Sequence, residues 1–310
     1  MDTNCQTANG EIIDRRVKII ATIPAYNEEI AIGSVVLKAR KYADEVIVID
    51  DGSTDATAEI AGVAGATVIK HEENRGYGAA LQSCFETARG LDADILVILD
   101  GDGQHNPSDI PAVIAPVLRG EADIAIGSRF LDASSRKKVP RYREFGIKVI
   151  TFFTNLFSKE KVSDAQSGFR AYSKKAIYTL NIGGNDMSAS AEILLEASPQ
   201  NLKIKEVPIH VNYNVQGSTL NPFSHGLGVL GRIIQMVSER RPLIFFGVPG
   251  FLFVAAGVLL GLWLINIYNR TNSFSIALAF LVLLLIISGV LGLSTGLTLN
   301  ALRNLLSKHK

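Results

Sequence analysis

The fold is decided by the stretch Ile95-Leu96-Val97-Ile98-Leu99, which is followed at once by Asp100-Gly101-Asp102-Gly103-Gln104-His105. The apolar run is typical of a buried strand in a parallel sheet. Carboxylates at the carboxyl end of such a strand lie where open α/β sheets bind their ligands. Their burial is costly without a positive partner, and their hard oxygen atoms suit Mg²⁺ or Mn²⁺ carrying a diphosphate. A solvated turn after the strand is the alternative.

Strands and helices alternate on both sides of this segment. Further apolar runs predict strands, and the polar turns between them contain residues that favour helix starts. The pattern predicts an α/β fold, a mostly parallel Rossmann-like sheet flanked by helices. Residues 129–222 are less regular and contain one late strand. The additional strands are predicted at 17–23, 45–49, 67–70, 124–126 and 203–213.

Composition narrows the class of protein. The chain has 310 residues, with 31 Lys and Arg against 30 Asp and Glu, and this balance lacks the basic face that predicts nucleic-acid binding. The two cysteines, Cys5 and Cys84, lie far apart, so we expect no disulfide framework and a reducing compartment. The start of the chain is polar and has no apolar signal segment, and residues 1–16 are predicted to be a flexible N-terminus.

The last part of the chain is apolar. Residues 243–267 and 274–299 are nearly uncharged, and each is longer than the roughly 20 apolar residues that cross a bilayer. The connection between them carries only Arg270, whereas cations flank the outer ends. The positive-inside rule therefore predicts an integral membrane protein with the preceding domain and both termini in the cytoplasm. A buried helical hairpin is the alternative. The flanking cations are Arg232, Arg240, Arg241, Arg303, Lys308 and Lys310.

Four regions follow from these patterns. We expect a flexible N-terminus at 1–16, an α/β domain at 17–222, an amphipathic juxtamembrane helix at 223–242, and a transmembrane helical hairpin with a basic tail at 243–310. Within the α/β domain, residues 145–157 predict a strongly apolar helix beside a basic loop. This helix is either part of the core or a helix lying in the lipid interface.

Four polar segments follow successive predicted strands, and the carboxyl ends of parallel strands meet at one edge of the sheet. The first strand is not followed by the glycine pattern of nicotinamide-binding proteins, and no P-loop lysine motif is present. An acidic edge with amides and hydroxyls suits a nucleotide whose diphosphate is held by a metal. The segments are Pro24-Ala25-Tyr26-Asn27-Glu28, Asp50-Asp51-Gly52-Ser53-Thr54-Asp55, Asn74-Arg75-Gly76-Tyr77-Gly78-Ala79 and Asp100-Gly101-Asp102.

These segments resemble the ordered motifs of the family 2 glycosyltransferases, which have the GT-A fold. Two later segments narrow the resemblance to the polyprenyl-phosphate branch, which includes dolichyl-phosphate mannose synthases and polyprenyl-phosphate glucosyltransferases. The resemblance covers residues 17–213 and the paired apolar helices. It implies a GT-A domain followed by a transmembrane hairpin. The two later segments are Ile126-Gly127-Ser128-Arg129-Phe130 and Asp164-Ala165-Gln166-Ser167-Gly168-Phe169-Arg170.

The resemblance also implies a role for individual residues. A divalent metal, Mg²⁺ or Mn²⁺, would be bound by Asp100, Asp102 and Gln104. The nucleotide-sugar pocket would be formed by Pro24, Tyr26, Glu28, Asp51, Gly76, Asp100 and Gly101. The catalytic residues would be Asp102, Arg129, Arg170 and Glu192. The acceptor phosphate and the membrane surface would be contacted by Arg129, Arg136, Lys137 and Arg141.

Several of these residues have plainer interpretations. Tyr26 could pack the end of its strand, and Asp51 could serve only as a helix-capping turn residue. Arg170 could form a surface salt bridge, and Glu192 could be an ordinary helix N-terminal carboxylate. One segment departs from the family pattern, because the loop at 213–219 lacks the basic residue that the family often carries there. The polar substitutes are Ser218, Thr219 and His225.

The expected activity is metal-dependent, inverting transfer of a hexose from a UDP- or GDP-sugar to a polyprenyl or dolichyl phosphate at the cytoplasmic face. The acceptor phosphate is already anionic near neutral pH, so no general base is required. A transferase with a non-lipid acceptor and a membrane-anchored nucleotide-sugar-binding accessory protein are alternatives. A processive polysaccharide synthase is disfavoured because Trp263 lies in an apolar span, not in a Gln-x-x-Arg-Trp motif. A homo-oligomer is compatible with the sequence.

Overall fold

The computed structural model describes residues 5–6, 12–13, 16–132, 136–137, 139–181, 189–212, 231, 238 and 242–307. The chain divides into two compact units, Met1–Ile233 and Ile234–Lys310, and each is described by itself. Most of the predicted juxtamembrane helix at 223–242 and all of the loop at 213–219 lie outside the described residues. The division of the chain into four regions stays a prediction.

The first unit contains a mixed sheet with helices on both faces. Its described strands are β1 (Cys5–Gln6), β2 (Ile12–Ile13), β3 (Ile19–Ala25), β4 (Glu45–Asp50), β5 (Thr67–Lys70), β6 (Ile95–Ile98), β7 (Ile124–Ser128), β8 (Arg170–Ser173) and β9 (Ile204–Pro208). Its described helices are α1 (Ile32–Ala39), α2 (Thr57–Val63), α3 (Tyr77–Gly90), α4 (Ile110–Leu118), α5 (Arg141–Phe157), α6 (Lys174–Thr179) and α7 (Ala189–Ala197), with a 3₁₀ turn at Pro107–Asp109.

The strand order in the main sheet is β5-β4-β3-β6-β8-β7-β9. All neighbouring pairs are parallel except those of β8, which runs antiparallel to both β6 and β7. The prediction of a mostly parallel sheet flanked by helices is confirmed. The register pairs Ala25 with Asp50 and Thr22 with Ile98, so the loops after β3, β4 and β6 leave the sheet at the same edge.

The central strands are buried on both faces, which explains their continuous apolar sequence. Alternate residues point to opposite faces of the sheet. Ile20 and Leu96 pack with α3 and α7 in one cluster, whereas Ala21 and Val97 pack with α1 and α4 in the other. The two cores hold the ends of β3, β4 and β6 rigidly, and the loops that follow them are built on this frame.

The second unit contains two long apolar helices. A π-helical turn at Leu243–Gly247 leads into α8 (Val248–Thr271), and α9 spans Ile276–Ser307. Helix α8 continues past the predicted end at Ile267 and stops at Asn272, whose φ of 52° is left-handed, as at many helix ends. Both helices are long and apolar enough to cross a membrane. In the most apolar 18-residue segment of each, only 17% of the residues in the first and 6% in the second are buried. Core helices of soluble proteins are mostly buried, so this exposure favours a membrane hairpin.

Glycines bring α8 and α9 into backbone contact. A Cβ atom added at Gly250 would lie 2.8 Å from the carbonyl oxygen of Gly289, and one added at Gly289 would lie 2.6 Å from that of Gly250. A Cβ atom added at Gly257 would lie 2.7 Å from the side chain of Ile286. Small residues at such positions let membrane helices approach closely and gain van der Waals contact.

We expect Gly289→Ala to destabilise the hairpin by about 1–3 kcal/mol, the usual cost of overpacking a tight interface. The measurement is the thermal midpoint of unfolding of the full chain in detergent micelles. Gly261→Ala is the matched control, because its added Cβ would lie 3.4 Å from Val282, an ordinary contact. Equal midpoints for the two variants would contradict the close helix contact.

Candidate active site

The loops after β3 and β4 are tied together by hydrogen bonds from backbone to side chain. Asn27 has a left-handed φ of 54°, and its N–H donates to Ser53 Oγ at 2.9 Å. The N–H of Thr54 donates to Asn27 Oδ1 at 2.9 Å, and the N–H of Glu28 donates to Thr57 Oγ1 at 2.7 Å. Because a left-handed residue does not fit a right-handed helix, α1 does not start at Asn27 and begins only at Ile32.

Two predicted nucleotide-site residues lie on the first of these loops. Pro24 is buried near the end of β3, whereas Tyr26 is 45% exposed. Both interpretations of Tyr26, packing of the strand end and contact with the nucleotide, stay predictions. An aromatic face at this edge can stack on a planar base.

Asp51 connects two of the four polar segments, residues 50–55 (the second motif) and residues 74–79 (the third motif). One of its carboxylate oxygens accepts from the N–H of Arg75 at 3.0 Å, and the other accepts from the N–H of Gly76 at 2.8 Å. The ring of His71 lies 2.6 Å from the first oxygen through Nδ1 and 2.9 Å from Ser83 Oγ through Nε2. The structure thus places Asp51 and Gly76 in direct contact, and the predicted contact of Asp51 with a base stays a prediction.

Asp100 begins the segment Asp100-Gly101-Asp102, here called the acidic turn. The hydroxyl of Tyr77 donates to its Oδ1 at 3.4 Å, and Nδ1 of His105 lies 3.5 Å from its Oδ2. A Cβ atom at Gly168 would lie 2.5 Å from this carboxylate, so only glycine fits there. Burial raises the pKa of Asp100, although Arg129 opposes the rise. Gly101 is buried beside it against apolar side chains.

Two further carboxylates share this environment. Asp102 accepts from the N–H of Gln104 at 2.9 Å, and burial followed by repulsion from Asp100 raises its pKa. Burial followed by repulsion from Asp102 and Asp100 raises the pKa of Glu28 to about 7. Three acids from two motifs therefore lie within electrostatic range of one another, and each resists ionisation.

A divalent cation suits this donor set. The carboxylates are hard oxygen ligands whose mutual repulsion a cation would relieve. Across the described residues, however, no group of three or more His, Cys, Asp and Glu side chains is arranged to hold a metal alone. Asp100 and Asp102 would therefore share the ion with oxygen atoms of a ligand and water, as Mg²⁺ commonly requires. The predicted ligand role of Gln104 stays a prediction.

Arg129 lies beside the acidic turn and is held by a buried carboxylate. Its Nε and Nη2 donate to Asp164 at 2.6 and 2.7 Å, a bidentate geometry that fixes the plane of the guanidinium. The arginine holds the pKa of Asp164 below its usual range despite burial, and it also acts to lower the pKa of Asp100. Its proximity to the acidic turn fits the predicted contact with phosphate, which stays a prediction.

Arg170 lies near the same site in a different role. Only 1% of the residue is exposed, and its guanidinium donates to the carbonyl oxygens of Ser167, Ser190 and Ala165 at 2.7–2.8 Å. The side chain joins the loop before β8 to the first turn of α7. This burial does not fit a surface salt bridge, and it favours a positioning role over direct contact with a ligand.

The remaining predicted residues lie on α7 and near α5. Glu192 is half-buried in the first turn of α7, and its catalytic role stays a prediction. Arg136 is exposed and pairs with Glu144 at 2.9 Å, and Lys137 is exposed. The side chain of Arg141 lies outside the described part of the chain.

A cavity of about 450 Å³ opens beside the acidic turn. The Gly103–Pro107 turn forms one wall, and the residues after β9 form another, where the N–H of Asn212 donates to the carbonyl oxygen of Gln104 at 2.9 Å. The cavity reaches the residues that follow Asp102, but neither Asp100 nor Asp102 lines it. Its lining is Lys38, Gly103, Gln104, His105, Asn106, Pro107, His210, Val211 and Asn212.

Sequence reasoning missed several residues that shape the site. Tyr77 and Asp164 lie inside quoted motifs but received no role, and His71 and His105 were not considered as partners. Arg143 acts to lower the pKa of Asp102, which identifies a nearby cation. Burial lowers the pKa of His105 to about 4, so its ring is neutral beside Asp100.

We expect Glu28→Gln to stabilise the metal-free protein at pH 8 but not at pH 4.5. The raised pKa means that the folded state retains a proton between pH 4.5 and 7 that the unfolded state has lost, so stability falls as pH rises through this window. Glutamine removes the loss, about 1–2 kcal/mol after allowance for solvent screening. Thermal midpoints in detergent with a chelator measure it, and an equal difference between the two proteins at both pH values would contradict the charge cluster.

Comparison with known proteins assigns the family. The model of the family described as Glycosyl transferase family 2 matches residues 21–180, which is just over half of the chain. UDP-N-acetylglucosamine–dolichyl-phosphate N-acetylglucosaminyltransferase of Methanococcus voltae is 36% identical over 216 residues, covering 63% of this chain and 86% of that protein. Dolichyl-phosphate hexose transferase of Haloferax volcanii is 29% identical over 219 residues, covering 70% and 92%.

A solved structure agrees with the fold. Glucosyl-3-phosphoglycerate synthase of Mycobacterium tuberculosis, crystallised with Mn²⁺, UDP and glucosyl-3-phosphoglycerate, superposes with a TM-score of 0.54 at 23% identity, covering 72% of this chain and 79% of that one. At this identity the similarity shows the fold alone. The predicted GT-A fold and the predicted class of enzyme are confirmed, and the chain belongs to glycosyl transferase family 2.

Proposed function

We propose that this protein transfers a hexose, with inversion, from a UDP- or GDP-sugar to a polyprenyl phosphate at the cytoplasmic face of a membrane. The observation that carries the proposal is the acidic turn of Asp100 and Asp102 beside Arg129, at the ligand edge of a family 2 fold. Relatives named for dolichyl-phosphate substrates support the class of acceptor. The two apolar helices support a membrane location.

The acidic edge suits the donor. A divalent cation bound by Asp100 and Asp102 would act as a Lewis acid for the departing diphosphate. Tyr77 orients the Asp100 carboxylate through its hydroxyl, and the backbone N–H of Gln104 orients that of Asp102. Tyr26 offers an exposed ring to the base at the same edge. These residues bind and orient the donor without moving a proton.

The acceptor requires little chemical activation. A phosphate monoester has a second pKa of about 6 and is anionic near neutral pH, so its oxygen can attack the anomeric carbon directly. The difficulty is electrostatic, because acceptor and donor are both anions. Arg129 and Arg143, both near the acidic turn, would offset this repulsion. No residue is assigned as a general base.

Helix α5 supports contact with lipid. Phe145, Phe152 and Leu156 are 71%, 64% and 56% exposed, and their spacing places them on one face of the helix. Lys148, also on α5, is exposed and pairs with Glu144 at 2.7 Å. Apolar side chains flanked by cations are typical of helices that lie in the interface of an anionic bilayer. We propose that α5 contacts the membrane that contains the acceptor.

Transfer to lipid is the direct test of the proposed activity. The full chain in nanodiscs containing a polyprenyl phosphate is incubated with labelled UDP-glucose, UDP-N-acetylglucosamine or GDP-mannose and Mn²⁺ or Mg²⁺. We expect one donor to label the organic extract, and Asp102→Asn to reduce the rate at least 100-fold because a carboxylate of the metal site is lost.

The control for this test is Glu86→Gln, which changes an exposed carboxylate on α3 and should leave the rate unchanged. Label that appears only in water-soluble products would refute the lipid acceptor. Wild-type turnover by Asp102→Asn would refute the role of the acidic turn.

The α5 surface has its own test. We expect the double variant Phe145→Ser and Phe152→Ser to slow transfer to the lipid acceptor about tenfold, since each lost aromatic side chain removes apolar area from the bilayer. Binding of UDP or GDP should not change. Val63→Ser, at an 86% exposed site on α2, is the matched control. An unchanged transfer rate in the double variant would show that α5 does not contact the acceptor membrane.

A further inference from the structure

A buried chain of hydrogen bonds links helix α3 to the loop after β4. Ser83 Oγ lies 2.9 Å from His71 Nε2, and His71 Nδ1 lies 2.6 Å from Asp51 Oδ1. The side chains of His71 and Asp51 are only 7% and 5% exposed. A carboxylate only accepts hydrogen bonds, so Nδ1 of His71 carries the hydrogen. A bond to a carboxylate in such surroundings is strong and fixes the orientation of both partners.

Asp51 in turn binds the backbone of the third motif. Its two oxygens accept from the N–H groups of Arg75 and Gly76 at 3.0 and 2.8 Å. Behind it, the loops are in backbone contact, because a Cβ at Gly52 would lie 2.5 Å from the carbonyl carbon of Glu73. Gly52 has a φ of 73°, which favours glycine. The carboxylate therefore closes the third-motif loop against the second.

The contacts continue from Gly76 through Tyr77 to the acidic turn. Gly76, with a φ of 91°, directly precedes Tyr77, and the hydroxyl of Tyr77 donates to Asp100 Oδ1 at 3.4 Å. The position of the Gly76 N–H thus helps to set where the Tyr77 side chain starts. His71 has no described contact with Asp100 or Asp102, so any influence on the acidic turn passes through Asp51 and the loop.

We propose that His71 is a positioning residue for the nucleotide pocket. By orienting Asp51, it holds the third-motif loop and Tyr77 in place against the acidic turn. This inference rests on the proposed function, because it assumes that the edge binds a nucleotide diphosphate. A histidine that served only the core would change stability alone, whereas a positioning residue changes nucleotide affinity selectively.

Nucleotide binding by the full chain in detergent is the test. Titrations with UDP and with GDP, each with Mn²⁺, give the dissociation constants. We expect His71→Ala to weaken binding about 10- to 100-fold, the range found when groups that orient ligand-contacting residues are lost. His71→Asn keeps an N–H donor near the position of Nδ1 and should bind within about threefold of wild type. Cys84→Ala, a buried change beside Ser83, should lower the melting temperature without weakening binding.

Hydrogen exchange supplies a readout that does not depend on a ligand. We expect the amides of residues 72–77 to exchange at least tenfold faster in His71→Ala than in Cys84→Ala, because only the first variant releases the loop. Should His71→Ala not fold, the pair His71→Asn and His71→Gln replaces it. Glutamine extends toward Ser83 but lacks the donor beside Asp51, so it should bind the nucleotide more weakly than asparagine.

The outcomes separate the two proposals. If wild type binds neither UDP nor GDP, the donor site fails and this inference falls with it. If wild type binds one of them and the alanine or glutamine variant binds it equally well, His71 is not a positioning residue and the proposed function stands.

Discussion

Negative charge gathered at one sheet edge is the constraint on which the rest of the site depends. Asp100, Asp102 and Glu28 are brought within electrostatic range. Burial raises the pKa of each, and repulsion from neighbouring carboxylates adds to the rise for Asp102 and Glu28. Charges in such surroundings are stable only with compensation. The protein supplies part of it, through the Tyr77 hydroxyl and the nearby Arg129. The remainder suits a cation that arrives with an anionic ligand.

The loops that present these acids are held by side chains that accept from backbone N–H groups. Ser53 and Thr57 accept from the first motif loop, and Asp51 accepts from the third. Each bond satisfies a backbone donor that neither a helix nor the sheet would use. Loops on a rigid frame can carry binding residues with little disorder. In the first of these loops Asn27 has a left-handed backbone, so α1 does not start at this residue, and this local departure from helical structure lies at the site itself.

The sequence was informative where structure depends on local pattern and uninformative where it depends on distant partners. The apolar runs of β3, β4 and β6 predicted their strands because both faces of these strands are buried. Strand β8 was missed because it is short and begins with Arg170, whose guanidinium donates to carbonyl groups of the adjoining loop and of Ser190, 20 residues along the chain. The pairing of His71 with Asp51 spans 20 residues, and no periodicity reports such a contact.

Arg129 and Arg170, from the two later segments, have different surroundings at this edge of the sheet. The guanidinium of Arg170 donates to backbone carbonyl groups, and because the residue is buried it presents little charge to a ligand. The side chain of Arg129 is 14% exposed, and Asp164 holds it in a bidentate pair and offsets much of its charge. Attraction of a second anion therefore cannot rest on Arg129 alone. Because Arg136 and Lys148 both pair with Glu144, the surface of α5 adds little unbalanced positive charge. We therefore expect attraction of the acceptor to draw on Arg143 and on a cation bound at the acidic turn, which would couple acceptor binding electrostatically to metal binding.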